Sequence, residues 1–328
     1  MAEMSTYRRG SAVWYIIGAL FFISAGLTAI LGVASPYAVP IILVIVGAVV
    51  IIAGFLRLLP SAPALVVFII GAVVLAFAAS GFFGPFQSST ETFELTRAQT
   101  PNIDEITLLG TVSTGNIRLS FTTNNSILYR IIFTKYFNLF FQTVANVSRR
   151  AQDGELFVNA TSTTASLDII INQNLRSSFN LTTSTGNVRL EAPNTVTRIS
   201  RTALRTTTGN VWLNVTDIFS LERITAATTT GQVEAHIKSS TQSQNAAVQL
   251  TTTTGSVRLD LNITGIESKI TASTSTGRVN AEVTGFIIIT ETQTHFNAQT
   301  PDYNSSPRKL DVTATTTTGS VDITAEHT

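Results

Sequence analysis

Thr229-Thr230-Gly231-Gln232-Val233-Glu234-Ala235 and, one period later, Thr253-Thr254-Gly255-Ser256-Val257-Arg258-Leu259 decide how this chain folds. The unit is Ser or Thr, then Thr-Gly, then polar-apolar-any-apolar. It occurs seven times, with its glycines at Gly115, Gly186, Gly209, Gly231, Gly255, Gly277 and Gly319. Successive glycines lie 71, 23, 22, 24, 22 and 42 residues apart. The two long gaps are close to three and two periods of about 22 residues, and a fixed period of this size marks a repeat architecture.

Glycine reaches positive φ without steric cost, so each Thr-Gly pair suits a tight turn between two short strands. After the turn the pattern alternates with period two. One inward set is Ile117, Val188, Val211, Val233, Val257, Val279 and Val321; two residues on come Leu119, Leu190, Leu213, Ala235, Leu259, Ala281 and Ile323. Such residues suit a half-buried pleated surface. The residues between them, Arg118, Arg189, Trp212, Glu234, Arg258, Asn280 and Asp322, share no chemistry and read as an outward, solvated face. The expected fold is mainly β: a single-stranded parallel β-solenoid of about ten coils of ~22 residues, roughly 50 Å long at the spacing between strands. Each coil depends on its neighbours for a core. A degenerate copy, Thr163-Thr164-Ala165-Ser166-Leu167-Asp168-Ile169, has Ala165 where glycine is expected, and further degenerate coils are expected near residues 139 and 298. Thr hydroxyls in register, and Asn116, Asn187 and Asn210 after the glycines, are expected to form side-chain ladders.

The chain ahead of the repeats is chemically different. Between Gly10 and Thr90 its one charged residue is Arg57. Three apolar segments, 12–33, 38–56 and 64–83, each match the roughly 20 residues that cross a bilayer as a helix, and proline-bearing connections separate them. Gly18, Gly26, Gly47, Gly54 and Gly71 permit close helix packing. Arg8 and Arg9 precede the first segment and Arg57 lies between the second and third, so the positive-inside rule puts the amino terminus in the cytoplasm and the repeats outside. The expected organisation is a cytoplasmic amino terminus at 1–11, a three-helix transmembrane anchor at 12–83, a linker and first strand at 84–100, and an extracytoplasmic solenoid at 101–328. The first segment is longer than the apolar region of a cleaved signal peptide. Arg8-Arg9-Gly10 has the form of a prepilin processing site but precedes three apolar segments rather than one. A net charge of +1 gives no basic face for nucleic acid. The absence of cysteine excludes a disulfide framework and a thiolate metal site.

On the Thr-Thr-Gly-Asn/Ser-Val-x-Leu units, over approximately residues 92–328, the chain resembles the toastrack, or adhesin-type, β-solenoids of prokaryotic envelope proteins. The Gly-punctuated apolar hairpin 16–55 is loosely similar to the membrane segments that accompany such domains. The resemblance implies attachment to the envelope and an adhesion-like or stress-sensing role, and it supplies no catalytic residues to carry over. The expected function is a non-catalytic, membrane-anchored surface solenoid serving as an adhesin or envelope scaffold, without cofactor. An envelope-stress sensory or regulatory membrane subunit is the alternative, and a self-assembling surface filament subunit a third. Its expected partners are the lipid bilayer, other envelope or surface proteins or glycans, and a second copy met end-on.

Residues that could carry chemistry are dispersed. Asp168, Asp217, Asp260, Asp311 and Asp322, the four lysines Lys135, Lys238, Lys269 and Lys309, and His236, His295 and His327 occupy scattered coil positions, whereas a catalytic site needs convergent groups. Seven sequons, at Asn124, Asn146, Asn159, Asn180, Asn214, Asn262 and Asn304, are candidate N-glycosylation acceptors if the host modifies the outer face. Segment 127–141 concentrates Tyr129, Phe133, Tyr136, Phe137, Phe140 and Phe141. It reads either as an irregular coil whose aromatics fill the core or cap its membrane-proximal end, or as a contact surface for a partner or the outer membrane interface. The last unit ends at Ile323, so the final coil is expected either to present an unpaired strand edge or to be covered by the excursion 296–307.

Overall fold

The computed structural model describes residues 87–137, 143–193, 198–216, 220–240 and 244–328. The chain divides into two units, one of Met1–Gln87 and Phe137–Gln142, the other of Ser88–Tyr136 and Thr143–Thr328. Of the first unit only Gln87 and Phe137 are among the described residues. The three apolar segments and Arg8, Arg9 and Arg57 lie outside them. Among the described residues no helix is long and apolar enough to cross a membrane.

The second unit is built of strands. They are β1 (Gln87–Thr96), β2 (Glu105–Thr114), β3 (Ile117–Thr122), β4 (Ile127–Phe137), β5 (Ala145–Gln152), β6 (Glu155–Asn172), β7 (Arg176–Thr185), β8 (Val188–Ala192) and β9 (Arg198–Thr208). They continue as β10 (Val211–Thr216), β11 (Ser220–Thr230), β12 (Val233–Ser239), β13 (Ala246–Thr254), β14 (Val257–Ile263), β15 (Glu267–Thr284), β16 (Ile287–Glu291), β17 (His295–Gln299) and β18 (Lys309–His327). Each coil is a strand before the Thr-Gly turn and a strand after it, so the coils stack into a leading and a trailing sheet. In β6, β15 and β18 a single long strand passes through both.

Parallel pairing gives the order of coils, and it is not sequence order. In the leading sheet β6 pairs with β2, then follow β7, β9, β11, β13, β18 and β15. The trailing sheet runs β6, β3, β8, β10, β12, β14, β18, β15. At each end the chain lays one coil out of turn: β6 stacks outside the β2–β3 coil that precedes it, and β18 slots between β14 and β15. The final coil of the sequence is therefore interior, and the expected free edge at 309–327 does not exist. Among the described residues eight coils stack in place of the expected ten, over roughly 34 Å.

Antiparallel strands account for the difference. At one end β4 and β5 run antiparallel to β6, and β1 pairs with β4. At the other, β17 runs antiparallel to β15 and β16 to β17. The degenerate coil expected near 298 is absent, since residue 298 belongs to β17; the one expected near 139 falls outside the described residues, between β4 and β5. The cause is the length of the links. Asp153-Gly154, both at positive φ, and the three residues between β16 and β17 are long enough for a hairpin and too short for a parallel crossover. Of the aromatic segment, Tyr129 and Phe133 of β4 are fully buried, and Phe133 meets Phe93 edge-on at 5.9 Å. In the described part, core filling is the reading that holds.

Side chains that alternate inward from the two sheets form one continuous core, to which both members of the post-glycine pair contribute in every coil; Ala281 in β15 is partly buried. The turn itself is stacked. The seven unit glycines have φ between 138° and 148°, and each sits over the carbonyl of the turn next in the pile. A Cβ on Gly186 would lie 2.1 Å from the carbonyl oxygen of Gly115, and one on Gly115 would lie 2.0 Å from that of Ala165. Ala165 is tolerated because its coil is the last of the parallel pile and its neighbour, Lys135 of β4, runs the other way. Before every unit glycine except Gly115, the Thr three residues earlier donates its hydroxyl inward: Thr183 to the Gly115 carbonyl at 3.0 Å, Thr206 to Gly186 and Thr228 to Gly209 at 2.9 Å. Thr252, Thr274 and Thr316 repeat it. The expected hydroxyl ladder is therefore mainly one of hydroxyl to carbonyl, with Thr–Thr contacts at Thr315 to Thr251, 3.4 Å, and Thr264 with Thr328, 3.0 Å.

Candidate binding furrow

The turn and the trailing sheet together position a furrow on the solenoid surface. Immediately after the glycines, the side-chain Oδ1 of Asn116 accepts the backbone N–H of Asn187 at 2.9 Å, Asn187 Oδ1 that of Asn210 at 2.9 Å, and Asn210 Oδ1 that of Gln232 at 2.8 Å. These amides are held in a row by the backbone of the next coil. Two residues further along, the outward positions align across the trailing sheet. Asp168, Arg118, Arg189, Trp212, Glu234, Arg258, Asp322 and Asn280 stand side by side in that order. The next outward row contains Glu191, Asn214, His236 and Asp260.

Read along the sequence these residues share no chemistry; read in stacking order they form a paired surface. Arg118 and Arg189 both bond Glu191, at 2.7 and 2.5 Å. The Arg189 guanidinium lies 4.2 Å from the centroid of the Trp212 ring, a cation–π contact, while Trp212 stays 41% exposed. His236 bridges Glu234 at 3.0 Å and Asp260 at 3.2 Å. The hydrogen bond from Arg118 holds the Glu191 carboxyl below its ordinary range and the Arg118 guanidinium above its own. Burial pushes the Asp168 carboxyl up, and the charge of Arg118 only partly offsets it. Between the amide row and the outward row lies a cavity of about 490 Å³, lined by residues of five consecutive coils from Asp168 to Glu234.

The other sequence candidates do not converge. Lys135 pairs with Glu91 and Arg130 with Glu94, fastening β4 to β1. Lys309 lies 5.0 Å from the Tyr303 ring. Tyr303 donates to Asp311, and burial first, then that carboxylate, raises its hydroxyl to about 12. His327 approaches Glu267 at 3.8 Å, two coils from His236 and outside its row, and Asp217 lies outside the described residues. Among the described residues no group of three or more His, Cys, Asp or Glu side chains is placed to hold a metal ion. Asn124, Asn146, Asn159, Asn180, Asn214 and Asn304 are exposed, and Asn262 donates to Glu326 at 3.3 Å. Asn214 stands one outward row from the furrow. At the far end, Ile287, Ile288 and Ile289 of β16 are about half exposed.

These features define a capped, two-sheet parallel β-solenoid with a furrow along its trailing face. No protein-family model and no curated protein matches the chain. Solved structures do. A "putative cell adhesion protein" from Clostridium sporogenes is 15% identical over 73% of this chain and all of its own, with a TM-score of 0.46. A "putative adhesin" from Bacteroides fragilis is 12% identical over 72% of this chain and 97% of its own, TM-score 0.32. Another from Parabacteroides merdae is 11% identical over 74% and 96%, TM-score 0.24. Structures bearing the adhesin name are thus among those this chain is similar to, as its Thr-Thr-Gly units resemble that group. At these scores the likeness says nothing of what the chain binds.

Proposed function

We propose that this chain is an adhesin-like surface protein, held at the cell membrane by its amino-terminal apolar segments with the amino terminus inside, and acting by binding rather than by catalysis. The observation that carries this reading is the trailing face itself. Its repeated residues are consumed by turn, core and ladder, while the residue types that vary from coil to coil are held outward in register. Such a face is a fixed display surface, and a rigid β scaffold holds contact groups without the ordering cost of a loop. The arginines at 8, 9 and 57 and the three apolar segments supply the expected anchor and orientation.

Intact cells making the full chain, treated with an external protease, test the placement. The region after residue 92 is expected to be cleaved while the amino-terminal tail is spared. Protection of the solenoid on intact cells overturns the reading. Attachment of those cells, against cells lacking the chain, to other cells, envelope proteins or immobilised glycans tests the role.

A further inference from the structure

We infer that the furrow along the trailing sheet is a binding site for a linear, uncharged saccharide chain lying parallel to the solenoid axis. This rests on the surface-binding reading above and names its ligand class. The first argument is shape. The lining residues come from five consecutive coils, so the furrow runs about 19 Å along the stack at the usual strand spacing. About 490 Å³ spread over that length is the room of a narrow extended chain, not of a compact or branched ligand.

The second argument is donor chemistry. The Oδ1 atoms of Asn116, Asn187 and Asn210 are committed to the next coil's N–H groups. That fixes which end of each amide is which, and leaves each side-chain NH₂ group for partners outside the ladder. These groups repeat once per coil, an array suited to the hydroxyl, ring and acetamido oxygens of a repeating polymer. The amide run is confined to this stretch, since Ser256, Ser320 and Arg278 take the same place in the later coils.

The third argument is the platform. Trp212 is the one tryptophan of the solenoid and stands on the furrow wall, with Arg189 against its ring. An exposed aromatic fixed this way offers an apolar surface to the C–H face of a sugar ring, while amides and carboxylates take the hydroxyls.

Charge and topology exclude two rivals. The lining carries Arg118 and Arg189 against Asp168 and Glu234, a balanced set that gives no net attraction to a polyanion. An extended peptide gains most of its affinity by adding to an open sheet edge. Here the strands under the furrow are paired on both sides.

Trp212 is also the reporter. The chain has two tryptophans, so the full-length Trp14→Phe protein in nanodiscs emits from Trp212 alone. It is titrated with linear hexasaccharides of N-acetylglucosamine and of glucose, with a hexagalacturonate, and with a flexible Gly/Ser/Thr peptide of similar length. A saturating change in Trp212 emission with at least one neutral hexasaccharide, and weaker or no response to the other two probes, is expected. By calorimetry, Trp212→Ala is expected to weaken that binding about ten-fold. Asn187→Asp keeps an acceptor for the Asn210 N–H and replaces the outward NH₂ donors with a charged carboxylate oxygen, and is expected to weaken it about five-fold. Lys269→Ala, on the leading face, leaves it unchanged.

The site assignment is overturned if neither neutral saccharide binds, if the polyanion or the peptide binds as well or better, or if Trp212→Ala changes nothing. Cells that attach equally well with Trp212→Ala would sink the furrow and leave surface binding standing. Cells that never attach would sink the broader reading.

Discussion

Gly231 lies directly over Gly209: a Cβ on Gly231 would stand 2.0 Å from the Gly209 carbonyl oxygen, with φ at 141°. The glycine is required twice over, by its backbone conformation and by the turn stacked against it. Gly231→Ala is therefore expected to combine backbone strain with a clash that neither coil can relieve without breaking register, and to cost about 4 kcal/mol or more. Gly265, at φ 64° with nothing within 4 Å of a Cβ, is the control. Gly265→Ala there meets only the left-handed penalty, about 1–2 kcal/mol. Denaturant midpoints of the two variants measure the difference, and equal midpoints would mean that turn stacking does not matter.

Thr228 is held by the same geometry. Its buried hydroxyl donates to the Gly209 carbonyl at 2.9 Å, and that oxygen is walled in by the turn of Gly231. Thr228→Val keeps the shape and removes the donor, so a buried carbonyl loses a partner; the expected loss is about 1–3 kcal/mol. Thr228→Ser retains the donor and is expected to recover most of it. The first coil already shows where the rule stops. Val112 occupies the equivalent position in the β2–β3 coil, opposite Ser162 of the outermost coil β6, whose turn carries Ala165 in place of glycine.

Arg118 governs two carboxyls in the same sense, Asp168 on the furrow wall and Glu191 in the next outward row. Its hydrogen bond lowers Glu191, and its charge opposes the rise that burial imposes on Asp168. Arg118→Ala is expected to move both titrations upward, read by NMR titration of the two carboxyls. The signs for stability differ. Glu191, depressed below its ordinary 4.5, contributes stability that is present above that value and is lost as pH falls through the folded value. Asp168, raised above its ordinary 3.8, favours the fold below that value, and the advantage is lost as pH rises through the folded value. With Arg118 more than half exposed, the salt-bridge part is screened and stays under about 1 kcal/mol. A downward move of Glu191 in Arg118→Ala would contradict the assignment.

The repeat was legible because turn, core and register recur on one period. Gly255, Val257 and Leu259 announce themselves wherever they stand. The order of coils was not, because β15 and β18 carry the same unit and nothing within a unit records its neighbour. The information sits instead in the short links, such as Asp153-Gly154, and in the one defective turn, Ala165, whose missing glycine marks an end of the pile. The furrow was hidden for the same reason. Asp168, Arg118, Arg189, Trp212 and Glu234 look unrelated along the chain, and become a row of complementary groups only once β6 is known to lie outside β3.

That order can be tested through Arg258 and Asp322, which are register partners on adjacent strands although 64 residues separate them. Were the coils stacked in sequence order, Arg258 would instead neighbour Asn280, which here pairs with the far side of Asp322. The chain has no cysteine, so paired substitutions report without interference. Adjacent strands stand about 4.8 Å apart, inside the ~4.4–6.8 Å Cα range of a disulfide, and positions two strands apart fall outside it. Arg258→Cys with Asp322→Cys is expected to cross-link on mild oxidation. Arg258→Cys with Asn280→Cys is expected not to. Peptide mapping by mass spectrometry distinguishes the pairs, and cross-linking of the second without the first would restore sequence order and remove β18 from the interior.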